Sequence, residues 1–185
     1  MVIAFTGAIY YTFIASSQNK KVERVPNDFE ARYSWGACHT EWGRNDLKIN
    51  KEGNTELALS SGFFKENKKY SFSPQEIAEI YGSFVQNNFF SLNSEYRDKN
   101  IIDGDCSTLT LKANGKSYEV AMINQSPNQA VKITEKLLQI LKSKDSNYSK
   151  INKKQLCDEI KVACVTGKEY KGASCDFWNK SCEGI

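Results

Sequence analysis

Apolar and polar residues alternate along several stretches of the chain, a pattern typical of strands that bury one side. Residues 29–35 place Phe, Ala, Tyr and Trp at every second position. The same alternation on both sides of a glycine turn predicts a hairpin over residues 47–59, and a further short strand is expected at residues 69–72. A second hairpin is predicted over residues 108–122, because an Asn-Gly pair at its centre favours a two-residue turn.

Two other stretches follow the helical period. Ser73, Pro74 and Glu76 have the spacing of a capping box with proline at the first helical position, and the apolar residues of 77–85 share one helical face. Ser126-Pro127 repeats this serine–proline start before a second amphipathic stretch. Hairpins followed by two amphipathic helices predict an α+β domain over residues 29–143, in which an antiparallel sheet of hairpins packs against both helices.

The amino-terminal residues carry no charged side chain before Lys20. The apolar stretch over residues 2–15 has the length of a signal-peptide core, and small residues that fit a cleavage site follow it. Residues 1–17 are therefore predicted to be a signal peptide or a membrane anchor, with a buried first strand or helix as the alternative. Residues 18–28 form a polar tether in this interpretation.

Composition narrows the class of protein. The 185 residues include 25 basic and 22 acidic side chains, a net charge of +3, which is too balanced to predict nucleic-acid binding. A hydrophobic content of 40% argues against wholesale disorder. The six cysteines are an even number, and together with the predicted export they indicate disulfides in an extracytoplasmic setting, whether periplasmic, secreted or membrane-anchored.

Four of the cysteines lie in residues 144–185, which are predicted to form a small disulfide-stapled helical hairpin. Within each half of this tail two cysteines are separated by two helical turns, ~10 Å between Cα atoms, too far for a bridge. Antiparallel helices favour nested bridges, and the two remaining cysteines pair by elimination. The predicted pairs are Cys157–Cys182, Cys164–Cys175 and Cys38–Cys106. The spacing fits a zinc site poorly, and no metal or cofactor is expected.

Two clusters of residues suggest chemistry. A cysteine precedes the only histidine, His39, and Trp42 follows nearby, but neighbouring strand residues point to opposite faces, which disfavours an activated Cys–His nucleophile. Asp98, Asp103 and Asp105 fall in one loop, where clustered carboxylates can bind calcium or act as acid and base, although their spacing is not that of an EF-hand. These five residues form a possible surface site.

Four features occur together in residues 29–142: a Ser34-x-Gly36-x-Cys38 strand end, a hairpin at residues 49–53, a Ser73-initiated helix that ends in Phe-Phe-Ser-Leu, and an Asp103-Gly104 loop. In this combination the chain resembles uncharacterised domains of bacterial envelope and lipoprotein-type proteins. The resemblance implies an envelope location and no catalytic residue, because that family has no established activity.

The sequence thus predicts a non-enzymatic extracytoplasmic module that binds an unknown envelope protein or ligand, with residues 2–15 as a possible membrane tether. One alternative is an extracytoplasmic hydrolase that uses the aspartate loop. Another is a purely structural envelope protein.

Overall fold

The fold is described from a computed structural model, which places residues 24–38, 43–61, 64–101 and 104–150. These residues adopt an α+β fold with a seven-stranded, mostly antiparallel sheet and two α-helices, as predicted. In chain order the elements are β1 (Glu30–Ala37), β2 (Arg44–Asn50), β3 (Asn54–Ser61), β4 (Phe64–Ser71), α1 (Pro74–Gln86), a short 3-10 helix (Phe89–Ser91), β5 (Glu95–Arg97), β6 (Asp105–Ala113), β7 (Lys116–Ile123) and α2 (Asn128–Lys144). The predicted leader (residues 1–17), most of the tether and the cysteines of the tail lie outside the described residues.

The central strand of the sheet is β1, and the strand order is β4-β3-β2-β1-β6-β7-β5. Neighbouring strands are antiparallel except β5 and β7, which are parallel. Tyr33 on β1 lies opposite Leu47 on β2 and Leu109 on β6. Apolar side chains from distant parts of the sequence therefore fall in rows across one face of the sheet.

The core lies between this face and the two helices. From the sheet it buries apolar residues at every second position, among them Phe29, Leu47, Leu57, Leu109, Leu111 and Val120. From the helices it buries Ile77, Ile80 and Phe84 of α1 and Ile133, Leu137 and Leu141 of α2. We call this side of the sheet the helix face and the other side the open face, because no described helix covers it.

The two helix starts differ, although both carry a serine–proline pair. At α1 the predicted capping box is present: the Ser73 hydroxyl accepts from the Glu76 amide at 3.3 Å, and the Glu76 carboxylate accepts from the Ser73 amide at 2.7 Å. At α2 the predicted serine cap is wrong, because Pro127 is the N-cap residue and no side chain caps the helix. The serine of the second pair lies one residue too early to serve as the cap.

The second predicted hairpin is present and is held by a carboxylate. Asn114 and Gly115 have φ angles of 55° and 72°, the left-handed values that a two-residue hairpin turn requires. Asp28 accepts from the amides of Asn114 and Gly115 at 2.8 and 2.7 Å. The backbone amide of Gly115 is the largest cause that lowers the pKa of Asp28, so the carboxylate is the form that holds the turn.

The sequence predicted one strand too short and did not predict another. The strand expected at residues 69–72 overlaps the end of the longer β4, which runs from Phe64 to Ser71. The three-residue β5 was not predicted, and it joins the sheet edge beside β7. Among the described residues, no helix combines the length and the apolar character needed to cross a membrane.

Candidate functional site

The open face carries the polar positions of the same strands whose apolar positions form the core. Alternation along β1 sends Phe29, Ala31 and Tyr33 to the core and Arg32 and Ser34 to the open face. The charged or hydroxyl-bearing members of the open face include Glu30, Arg32, Ser34, Arg44, Asp46, Lys48, Glu56, Lys69, Thr108, Thr110, Lys112 and Glu119. The sheet thus presents a mixed-charge surface that spans β4 to β7.

Asp46 lies at the centre of this surface. Arg32 donates to both of its carboxylate oxygens, from Nε at 2.6 Å and from Nη2 at 3.0 Å, and the Ser34 hydroxyl donates at 3.0 Å. Burial alone would raise the pKa of Asp46, but the hydrogen bonds from Arg32 and Ser34 outweigh it and leave that pKa below its ordinary value. The hydrogen bond to Asp46 in turn raises the pKa of Arg32. The two charges are therefore fixed relative to each other in a forked pair.

Arg44 makes the second cross-strand contact of the open face. Its Nη2 donates to the Thr108 hydroxyl at 2.8 Å, and this bond passes over β1 from β2 to β6. Gly36 lies opposite Arg44 and leaves no side chain in the way. A Cβ at Gly36 would approach the Gly43 carbonyl oxygen to 2.6 Å. The φ angle of Gly36 is 151°, a value that residues other than glycine rarely adopt. Glycine at position 36 is therefore required for the close approach of β1 and β2.

The remaining charges form looser pairs along a groove. Lys69 lies 3.8 Å from Glu56, Lys112 lies 3.9 Å from Glu30, and in each pair both side chains are at least half exposed. A groove of about 740 Å³ lies beside these pairs, and its lining includes Glu30, Glu56 and Lys69. Exposed ion pairs of this kind contribute ~0–1 kcal/mol to stability. Their charges can therefore be re-paired with those of a ligand at little cost to the fold.

The predicted disulfide between Cys38 and Cys106 is present and joins the end of β1 to the start of β6. The Cys38 amide also donates to the Gly104 carbonyl at 3.0 Å, next to the bridge. The predicted pairs within the tail lie outside the described residues.

The possible surface site is described only in part. Asp98 follows β5 and Asp105 begins β6, so β7 runs between them, and two strand spacings amount to ~10 Å. The Asp98 carboxylate accepts from the Asn100 amide at 2.9 Å, which closes its own turn. Asp103, His39 and Trp42 lie outside the described residues. Within the described part of the chain, no cluster of three or more metal-ligating side chains occurs.

Sequence reasoning missed the Arg32–Asp46–Ser34 network and the Arg44–Thr108 contact. The available signal was the polar phase of the same alternation that predicted the strands. The alternation does not specify the register in which β1 pairs with β2. Only that register brings Arg32 and Ser34 next to Asp46.

We compared the chain with protein-family models and with curated proteins. No protein-family model and no curated protein matches the chain.

Proposed function

We propose that this protein is a non-enzymatic extracytoplasmic binding module and that its partner binds the open face of the sheet. The observation that carries the proposal is the fixed charge pattern around Asp46, which lies on the side of the sheet opposite both helices. Charge patterns of this kind select partners and set their orientation, while surface apolar area supplies less of the specificity.

The chemistry of the open face indicates the kind of partner. Basic and acidic side chains are interspersed across the strands, so a ligand of one sign would meet like charges as well as opposite ones. A protein surface or an extended polypeptide of mixed charge can match both signs. Because paired strands hold these side chains in place, the sheet gives such a partner a rigid platform, and binding it carries little ordering cost.

The extracytoplasmic location is supported by the disulfide in the main domain. Stable disulfides occur mainly in proteins of oxidising compartments, because cytosolic thiols are kept reduced. The predicted leader over residues 1–17 agrees with that location and supplies the route to it.

Site-specific photo-crosslinking in cells of the source organism tests the proposed surface. p-Benzoylphenylalanine at position 110, on the open face, is expected to give an adduct of higher mass, and the same probe at Glu135 on the exposed side of α2 serves as the control. The Lys48→Glu variant should weaken the adduct at position 110, and Lys136→Glu on α2 should leave it unchanged. Adducts at position 135 alone, or none at either position, contradict the proposal.

The predicted nested bridges of the tail are tested by peptide mapping of the unreduced protein. Trypsin cuts after Lys161 and Lys180, among other sites, and places the four tail cysteines in four different peptides. The nested pattern predicts that peptide 155–161 is joined to 181–185, and peptide 162–168 to 172–180. Free thiols on all four cysteines in protein taken from its native compartment would contradict both the tail prediction and the proposed location.

A further inference from the structure

After α2 the chain turns over the helix face of β4, where one lysine holds it. The Lys68 ammonium donates to the Asp145 carboxylate at 3.4 Å, to the Asn147 carbonyl at 3.1 Å and to the Lys150 carbonyl at 3.2 Å. The side chain of Lys68 is only 18% exposed, so these contacts replace most of its water. Tyr70 adds a hydrogen bond from its hydroxyl to Asp145 at 3.0 Å. We call this arrangement the Lys68 clamp.

The protonation states of Asp145 and Tyr70 favour the hydrogen bonds of the Lys68 clamp. Hydrogen bonds from the Asn147 amide and from Tyr70, together with the Lys68 charge, lower the pKa of Asp145. Burial and the Asp145 carboxylate raise the pKa of Tyr70, so its hydroxyl remains a donor. The clamp therefore fixes the position at which residues 151–185 leave the domain.

An aromatic surface lies on the same face, beside the helices. The rings of Tyr33 and Trp35 stack with centroids 4.8 Å apart and planes 14° apart, and both remain half-buried. Leu138 of α2 and Tyr148 are also partly buried against the core. The aromatic surface, defined by these four residues, is thus only partly covered by the described chain.

The register gives the distance between the clamp and the aromatic surface. Tyr33, Leu47, Leu57 and Lys68 lie opposite one another in one row across β1 to β4. Three strand spacings separate Tyr33 from Lys68, which is ~14 Å. A few extended residues after Lys150 span that distance.

We propose that residues 151–185, the segment that follows the Lys68 clamp, pack on the aromatic surface of the same chain. Several apolar residues of this segment can supply the contact, among them Leu156, Ile160, Phe177 and Trp178. Because the segment is tethered a short distance away, its effective concentration at the surface is in the mM range, above that of a second copy in dilute solution. This proposal concerns the helix face and does not depend on the open-face function.

Photo-crosslinking of the purified full-length protein at micromolar concentration identifies the occupant. p-Benzoylphenylalanine replaces Trp35, an aromatic-for-aromatic change, and the control replaces the exposed Phe90. The expected result is a cross-link from position 35 to a peptide within residues 151–185 in the monomer band, and none from position 90 to that segment. A cross-linked dimer indicates a second copy on the surface. That result, or the absence of any cross-link to residues 151–185, overturns the proposal.

A second experiment keeps the aromatic surface intact and removes the clamp. Chymotrypsin cuts within residues 151–185 after Tyr170, Phe177 and Trp178. In Lys68→Ala, cleavage there should accelerate about tenfold, the effect of one lost charge-assisted hydrogen bond when cleavage follows local opening. Lys69→Ala is the matched control, because Lys69 is the next residue of β4 but its side chain is 81% exposed on the open face. Equal cleavage rates for the two variants overturn the proposal, and cleavage within residues 24–150 reports any general loss of folding.

Discussion

Replacement of Phe89 by alanine should be among the most damaging single changes in this domain. Phe89 is 0% exposed, and its ring meets those of Phe84 and Tyr118 edge-on, with centroids 5.0 and 5.8 Å away. Truncation of a fully buried phenylalanine costs about 3–5 kcal/mol, because it removes the transfer free energy of the ring and leaves a cavity. Since the 3-10 helix that carries Phe89 bridges α1 and β7, little of that cavity can be refilled by a local shift.

The neighbouring Phe90 provides the matched control. It is 43% exposed and touches the same aromatic cluster only at its rim, with its ring 6.2 Å from that of Tyr118. Phe90→Ala should cost no more than about 1 kcal/mol. Urea unfolding followed by circular dichroism measures the free energy of unfolding of both variants against that of the wild type. In a thermal melt of a chain of this size, Phe89→Ala should lower Tm by about 6–20 °C. Equal losses for the two variants would refute the assignment of Phe89 to the core.

Three further results are expected from the same unfolding assay. Ser73→Ala should lose about 0.5–2 kcal/mol with its capping box, while Ser126→Ala should be neutral because that serine caps nothing. Asp46→Asn should be less stable than the wild type at pH 7. Because the folded-state pKa of Asp46 is lowered, this deficit should shrink as the pH falls below 3.8, and a deficit that grows in acid would contradict the forked pair. Joint replacement of Cys38 and Cys106 by serine opens a loop of 68 residues and should cost about 4 kcal/mol, whereas a loss below about 1 kcal/mol would show that the bridge adds little constraint.

Local patterns predicted the elements well where each element carries its own signal. The period-2 alternation of β1, the Asn-Gly hairpin and the helical face of α1 all follow from residues close in sequence, and the structure confirms them. The start of α2 was misplaced because a serine–proline pair permits two different positions for the first helical residue. Only the backbone path from β7 decides between them.

The missed features depend on residues far apart in the chain. Most of β4 escaped prediction because Glu66 and Lys68 stand where apolar residues would complete the alternation. Asp145, the partner that allows this lysine to be buried, is 77 positions away. The short β5 has too few residues for a pattern and exists because β7 offers it an edge. The polar network of the open face was hidden for the same reason, since it requires the pairing of strands.

The central position of β1 has a consequence for folding kinetics. The edge of β1 that faces β2 can pair as soon as the chain up to residue 50 is present. The other edge pairs with β6, where Ala31 lies opposite Leu111, about 80 residues later in the sequence. Long-range strand pairing of this kind is slow, because loop closure must be completed before any contact is gained. Until it occurs, β1 presents an unpaired edge to other chains. The Cys38–Cys106 bridge joins β1 to β6 across this same pairing, so its oxidation locks a long-range contact in place. Aggregation during refolding should therefore rise when bridge formation is delayed.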